Sequence, residues 1–196
     1  MKSTYDYLVD KVTNSLLKEN AADADEAEIY RFGIEITILK SLHFLSYLVI
    51  AACMRKVLEF IIIFGVFYAF RRNVGGFHAK TRMGCYIFSC AAIAIALAAV
   101  GKETYPIFMG ILALSELIVL VFIFPIRNEN RPLDEEEISC FKKRLYMLIV
   151  LFVAVFTITE EMGCFCLVQL YTIGLTLATS LAVLGKIQEG GNLNEK

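Results

Sequence analysis

The sequence predicts an all-α membrane protein, a polytopic bundle of about six transmembrane helices. Of its 196 residues, 58% are hydrophobic and none is tryptophan, and the mean hydropathy is +0.63. Ordinary soluble domains are only roughly 45 to 50% apolar, so a soluble fold is not expected. Helix-forming apolar runs occur at residues 36–54, 57–70, 83–100, 104–125, 145–159 and 163–185.

The segment before the first apolar run, residues 1–35, is predicted to be cytoplasmic and to begin with an amphipathic helix. Ser3 or Thr4 is a suitable N-cap. The apolar residues that follow share one helical stripe, namely Tyr5, Leu8, Val9, Val12 and Leu16. Such a helix would rest either on the inner leaflet or on the bundle. The sequence shows no cleavable signal peptide, so we expect the N-terminus to be retained.

Two of the six runs are short for a membrane span. The stretches "VLEFIIIFGVFYAF" and "LYMLIVLFVAVFTI" each supply about 21 Å of helix, against a hydrocarbon core of about 30 Å. Lysine and arginine side chains at their ends can snorkel to the interface and shorten the required length. A second arrangement therefore stays open, in which four helices span and residues 36–70 form a tilted or re-entrant hairpin.

The distribution of Lys and Arg predicts the orientation. The loop at residues 71–82 carries four and the loop at 126–144 carries five, whereas the other side has only Arg55, Lys56 and Lys102. By the positive-inside rule, both polar loops and both chain ends face the cytoplasm. Residues 36–185 then form a single membrane domain, and residues 186–196 form a short cytoplasmic tail.

The six cysteines do not predict a disulfide framework, because they occur singly in apolar runs or on cytoplasmic loops, where thiols stay reduced. Five of them are expected to pack as small hydrophobic side chains: Cys53, Cys90, Cys140, Cys164 and Cys166. Cys85 differs, because its neighbours are polar and cationic.

Cys85 lies in the stretch "RRNVGGFHAKTRMGCYIFS", residues 71–89, seven residues after His78. On one straight helix the two Cα atoms would be about 10.5 Å apart, and both side chains would lean toward the N-terminus. A hydrogen-bonded pair therefore requires His78 to lie outside the helix. Gly75 and Gly76 permit the turn that this arrangement needs.

Thr81 is a suitable N-cap for the third membrane helix, which places Cys85 in its first turn. The helix N-terminus, together with the cations Lys80 and Arg82, would favour the thiolate over the thiol. This is the environment of a nucleophilic cysteine, with His78 as base and later as acid.

Other interpretations of the pair are available from the residues alone. A histidine and a cysteine at this spacing also occur by chance. A zinc site made of His78, Cys85 and Cys90 lacks a fourth ligand. No phosphate-binding GxxxxGK[ST] loop is present, and we expect no cofactor and no nucleic-acid partner.

The run "FYAFRRNVGGFHAKTRMGCY" resembles the signature of the accessory gene regulator protein B family (AgrB). The similarity extends along nearly the whole chain. It includes the cytoplasmic N-terminal segment, two membrane segments before the motif, and the stretch "FPIRNENRPLDEEE" followed by a basic region.

This resemblance implies a bacterial membrane cysteine endopeptidase that matures a quorum-sensing propeptide. Such an enzyme cuts the propeptide near its acidic C-terminus and promotes closure to a thiolactone or lactone. His78 and Cys85 match the family's catalytic pair, and Arg71 and Gly76 match motif positions beside it. Many members carry further histidines in this loop, where this chain has Asn73 and Phe77.

The expected partners are a propeptide with an amphipathic N-terminus and an acidic tail, the lipid bilayer, and a second copy in a homodimer. Residues expected to bind the propeptide are Arg71, Arg72, Gly76, Lys80 and Arg82. No third catalytic residue is evident, and Glu116, near the middle of the fourth span, is expected to be structural. The competing hypothesis is a membrane exporter or scaffold for a small peptide, without catalysis.

Overall fold

The computed structural model describes residues 11, 12, 15, 27–77, 81–126 and 134–194. From residue 27 onward, these residues form six α-helices and no strand. They are α1 (Ala27–Cys53), α2 (Val57–Val74), α3 (Arg82–Ala99), α4 (Pro106–Ile123), α5 (Glu135–Glu161) and α6 (Phe165–Asn194). Each covers most or all of one of the six apolar runs, which confirms the prediction of an all-α polytopic bundle.

Four of these helices are long and apolar enough to cross a membrane by length and composition: α1 over Glu28–Cys53, α3, α4, and α6 over Phe165–Gly190. The remaining two carry charged residues within the helix. α2 includes Glu59, Arg71 and Arg72, and α5 begins with three glutamates. At 18 residues, α2 is about 27 Å long, four residues longer than its apolar run predicts.

The chain divides into two compact units, residues 1–49 and 50–196. In the first, Lys11, Val12 and Ser15 are helical, and the other residues of the predicted amphipathic stripe lie outside the described residues. α1 begins at Ala27, ahead of the apolar run. Two of its hydroxyl groups donate to the backbone of the same helix: Thr37 Oγ1 to the Gly33 carbonyl at 2.8 Å and Ser46 Oγ to the Leu42 carbonyl at 2.9 Å.

In the second unit, α6 is the central helix and packs against α2, α3, α4 and α5, most extensively against α2 and α4. One stripe of α6 consists of small buried residues: Gly174, Ala178, Ala182 and Gly185. A Cβ atom at Gly174 would lie only 2.7 Å from the Ile63 carbonyl oxygen and 2.9 Å from Val66 Cβ. The backbones of α2 and α6 therefore approach closely, as small residues allow in membrane bundles.

Polar contacts join the elements at one end of the bundle. Lys56 Nζ donates to the carbonyls of Leu97 and Val100, at 2.8 and 3.0 Å, and so satisfies the end of α3. Buried Gln169 of α6 accepts from Gly101 N at 3.0 Å and donates to the Lys102 carbonyl at 2.8 Å. These contacts attach the connection between α3 and α4 to the beginning of α6.

The two polar connections predicted to share one face of the membrane meet at the other end. Phe77 N donates to the Leu181 carbonyl at 2.8 Å, and Lys186 Nζ donates to the Pro125 carbonyl at 3.4 Å. Gly75 lies against Ile126. α2 therefore extends between both ends of the bundle in this second unit. The number of membrane spans, four or six, stays a prediction.

We expect Gly174→Ala to lower the free energy of unfolding by about 1 to 3 kcal/mol, because the new methyl group meets the α2 backbone. Gly110→Ala is the matched control, since nothing lies within 4 Å of a Cβ there. It should change stability by no more than about 1 kcal/mol, the difference in helix propensity. Thermal unfolding of both variants in detergent measures the effect. Equal stability of the two variants would contradict the close approach of α2 and α6.

Candidate active site

Cys85 lies in the first turn of α3. Thr81 is the N-cap, and its Oγ1 accepts a hydrogen bond from Gly84 N at 3.1 Å. Cys85 N in turn donates to the Thr81 carbonyl at 3.0 Å. The predicted cap and the predicted position of Cys85 are both confirmed. Partial positive charge at a helix N-terminus favours an anionic side chain in this turn.

The six cysteines are all free thiols. Cys85, Cys90 and Cys164 are half-buried, and the other three are exposed. Within the part of the chain that the structure describes, no group of three His, Cys, Asp or Glu residues is placed to hold a metal ion. Cys85 is therefore distinguished by its local environment and not by its exposure.

A glycine turn connects α2 to the segment before α3. Gly75 has φ +85° and Gly76 has φ +148°, values that glycine adopts far more readily than other residues. A Cβ atom at Gly76 would overlap Arg71 Nη1 and lie 2.8 Å from the Leu181 carbonyl oxygen. The positive φ and the short distances therefore both require glycine at position 76. The contact of Gly76 with substrate stays a prediction.

Arg71 points into the protein. Its Nη2 donates to the Phe77 carbonyl at 2.7 Å, so the guanidinium closes the glycine turn from α2. Its Nη1 is buried and has no hydrogen-bond partner among the described residues. Burial lowers the pKa of the Arg71 guanidinium from its ordinary value, and the electrostatic interaction with Cys85 opposes this shift. An arginine remains charged under such conditions.

The turn is held against two further helices. On α6, Phe77 N donates to the Leu181 carbonyl, and a Cβ atom at Gly185 would lie 2.5 Å from Gly76 C. On α3, the Phe88 ring packs against the Phe77 ring with centroids 5.4 Å apart. Because Phe88 follows Cys85 by three residues, it lies beside Cys85 on the surface of α3.

The structure brings together only some of the residues predicted for the site. Arg71 lies against Gly76, and the turn packs on α3 through Phe77 and Phe88. Arg72 and Arg82 are exposed at the same end of the bundle. His78 and Lys80 lie outside the described residues. Leu181 and Gly185 were not among the residues predicted for the site, although the small-residue repeat in α6 was a signal for close packing.

Glu116 lies away from this region. It is buried in the bundle, seven residues before α4 ends at Ile123, or about 10 Å along the helix. Its Oε2 atom is buried without a hydrogen-bond partner among the described residues. The structural role expected for Glu116 stays a prediction.

A protein-family model described as Accessory gene regulator B matches residues 9–184 of the chain. The match includes the glycine turn, Cys85 and most of α6. No curated protein and no solved structure matches the chain.

We expect Gly185→Ala to loosen the glycine turn, because its methyl group would overlap the Gly76 backbone. Loss of the hydrogen bond from Phe77 to Leu181, worth about 1 kcal/mol, would raise the population of the detached turn about fivefold. Trypsin should then cleave the segment between α2 and α3 about fivefold faster. Gly190→Ala, in open space on the same helix, is the control. Equal cleavage rates for both variants would show that Gly185 does not hold the turn.

Proposed function

This chain belongs to the accessory gene regulator B family of bacterial quorum sensing, and we propose that it is a membrane cysteine endopeptidase. Its substrate in this proposal is an autoinducer propeptide, which it cleaves near the C-terminus and helps to cyclise. Cys85 is the nucleophile and His78 is its acid–base partner. The observation that carries the proposal is the position of Cys85 in the first turn of a capped helix, directly after a glycine turn that the half-buried Arg71 closes.

Several features support Cys85 over the other cysteines as the nucleophile. Reactive cysteines lie at helix N-termini or beside cations, and Cys85 combines both. The turn before it is fixed by Arg71 and by α6. His78 follows Phe77 directly in the sequence, and Phe77 packs against Phe88 beside Cys85. A nucleophile with a neighbouring base is the minimum arrangement for covalent catalysis.

In the first chemical step, the Cys85 sulfur attacks the carbonyl carbon of the scissile amide. The C–S bond forms, the C–N bond breaks, and His78 delivers the proton that the departing amine requires. The products are the released C-terminal fragment and a thioester between Cys85 and the rest of the propeptide. No water enters this step.

In the second step, a thiol or hydroxyl inside the propeptide attacks the thioester carbonyl. The new bond closes the thiolactone or lactone ring, its proton passes to His78, and Cys85 leaves as a thiolate. Neither step requires ATP, because the thioester keeps the acyl-transfer potential of the cleaved amide bond. Water must be excluded while the thioester exists, because it would otherwise hydrolyse the thioester. A site among packed membrane helices suits that condition.

Recognition of the acidic tail is assigned to exposed cations at this end of the bundle. Arg72 is exposed, whereas the Arg71 guanidinium is committed to the Phe77 carbonyl. Arg82 is also exposed and keeps its predicted part in tail binding. Three further exposed cations lie on α5, namely Lys142, Lys143 and Arg144. Arginine can bind carboxylates through two parallel hydrogen bonds, so Arg72 becomes the leading tail contact. Lys80 keeps its predicted part in tail binding.

The cytoplasmic side is the proposed location of the site. The connections after α2 and after α4 lie at one end of the bundle, and the positive-inside rule assigns that end to the cytoplasm. The propeptide would then approach along the inner leaflet, on which an amphipathic helix can rest. The homodimer implied by the family resemblance stays a prediction.

We expect Cys85→Ala and His78→Ala each to abolish cleavage of a co-expressed propeptide without reducing membrane insertion, because each removes one member of the proposed pair. Cys90→Ala, a change in another half-buried cysteine of α3, is the control and should retain cleavage. Mass spectrometry of the peptide products measures the outcome. Normal processing by Cys85→Ala would exclude the peptidase and favour the exporter or scaffold hypothesis.

We also expect Arg72→Glu to impair cleavage of an acidic-tailed propeptide about tenfold, because one charge-assisted contact becomes repulsive. A propeptide whose tail acids are replaced by lysine should partly recover with this variant. The ratio of kcat/KM for the two peptides measures the effect. Equal loss with both peptides would assign Arg72 to membrane anchoring or folding and remove it from recognition.

A further inference from the structure

We infer that Phe77 is a positioning residue, and that the contact between its ring and Phe88 of α3 sets the distance between His78 and Cys85. The inference deepens the proposed function and rests on it in taking His78 and Cys85 as the reacting pair. From the sequence, Phe77 was noted only as one of two places where many family members carry a histidine.

The backbone of Phe77 is held on both sides. Its N–H donates to the Leu181 carbonyl of α6 at 2.8 Å, and its carbonyl oxygen accepts from Arg71 Nη2 of α2 at 2.7 Å. A Cβ atom on Gly185 would lie 2.7 Å from Phe77 N, so this backbone rests directly on α6. The peptide group that contains the Phe77 carbonyl is planar and is the one that leads into His78. Two helices therefore fix the point from which the chain continues to His78.

The side chain of Phe77 adds a contact with a third helix. Its ring packs against the Phe88 ring of α3, with centroids 5.4 Å apart and ring planes at 57°. This separation lies within the range that aromatic pairs favour. Phe88 follows Cys85 by three residues, a spacing that places two side chains on the same face of an α-helix. The ring pair therefore joins the residue before His78 to the face of α3 that carries Cys85.

The three contacts of Phe77 have different consequences for the site. Both hydrogen bonds attach the turn to α2 and α6, whereas the ring contact attaches it to α3, the helix of the nucleophile. Loss of the ring contact would leave the turn on α6 but let its position relative to α3 vary. A displacement of a reacting group by about 1 Å can lower a rate about hundredfold. The ring pair should therefore affect the rate of cleavage more than the binding of the propeptide.

Phe88 is the better member of the pair to vary. It is 39% exposed, so its truncation leaves the interior of the bundle and both hydrogen bonds of Phe77 in place. Phe88→Tyr keeps the ring and can direct its hydroxyl group outward. Ile87→Ala, a change in the adjacent side chain that is 60% exposed on the same helix, is the matched control.

Disulfide formation between positions 78 and 85 tests the inference without any propeptide. His78→Cys is introduced into the full-length protein in detergent, and the five cysteines other than Cys85 are replaced by alanine. A disulfide requires the two Cα atoms to come within about 7 Å, so its initial rate of formation under a mild oxidant reports how often position 78 approaches Cys85. The rate is measured in this parent protein and after each change at Phe88 and Ile87.

We expect Phe88→Ala to lower the rate of disulfide formation about fivefold, the change in population that corresponds to a lost aromatic pair. Phe88→Tyr and Ile87→Ala should stay within about twofold of the parent rate, as exposed substitutions usually do. A rate for Phe88→Ala equal to or above that for Ile87→Ala would overturn the inference. So would a parent protein that forms no disulfide, because position 78 would then not be held near Cys85.

Cleavage of the propeptide supplies the second measurement. Phe77→Ala and Phe88→Ala should each lower kcat about fivefold and leave KM within about twofold, because the contact positions a reacting group and does not bind substrate. The double variant should lose no more than either single variant, since both remove the same contact. A loss of about twenty-fivefold in the double variant, the product of independent effects, would contradict the inference. A wild-type protein that cleaves no propeptide would count against the proposed peptidase alone, because the disulfide rates are measured without substrate.

Discussion

Close backbone approach along one stripe of α6 is the constraint on which the rest of the structure depends. In a membrane, helices gain little from burying apolar surface, because lipid is as apolar as the side chains it replaces. Helix association in the membrane must therefore be stabilised by van der Waals contacts between closely approaching helices. Gly174 allows α2 to approach α6, and Gly185 allows the backbone of Gly76 to lie against α6. Ala178 and Ala182, on the same stripe, are almost fully buried. One repeat of small residues thus serves both helix packing and the candidate site.

The turn after α2 behaves as part of the bundle interior. Most connections run over the surface and are variable, but this one donates a backbone hydrogen bond to Leu181 and receives one from Arg71. Gly75 is favoured by its φ of +85°, and Gly76 is needed because a side chain there would displace the guanidinium and the α6 backbone. The site is built on helices, which hold a reacting group more accurately than a surface loop does.

The elements were predictable from the sequence because their causes are local. Apolar runs indicated all six helices, and the short polar side chain of Thr81 indicated the start of α3; Asp134 stands at the start of α5 in the same way. Thr81 accepts from Gly84 N, and Asp134 accepts from Glu137 N at 2.7 Å. The orientation of Arg71 was not predictable. Arg71 and Arg72 are identical in type and adjacent, and only the packing of α2 decides that one faces the turn while the other faces outward.

The sequence by itself determined the membrane class, the helices, their caps and the segment that carries Cys85, because hydropathy, capping and glycine conformation act over a few residues. The tertiary structure decided which distant residues complete the site. Leu181 and Gly185 are about one hundred residues from Cys85 in the sequence. They reach its neighbourhood only because α6 runs through the centre of the bundle and extends to the end where α3 begins. Such contacts depend on how helices pack, and no local pattern specifies which face of one helix meets another.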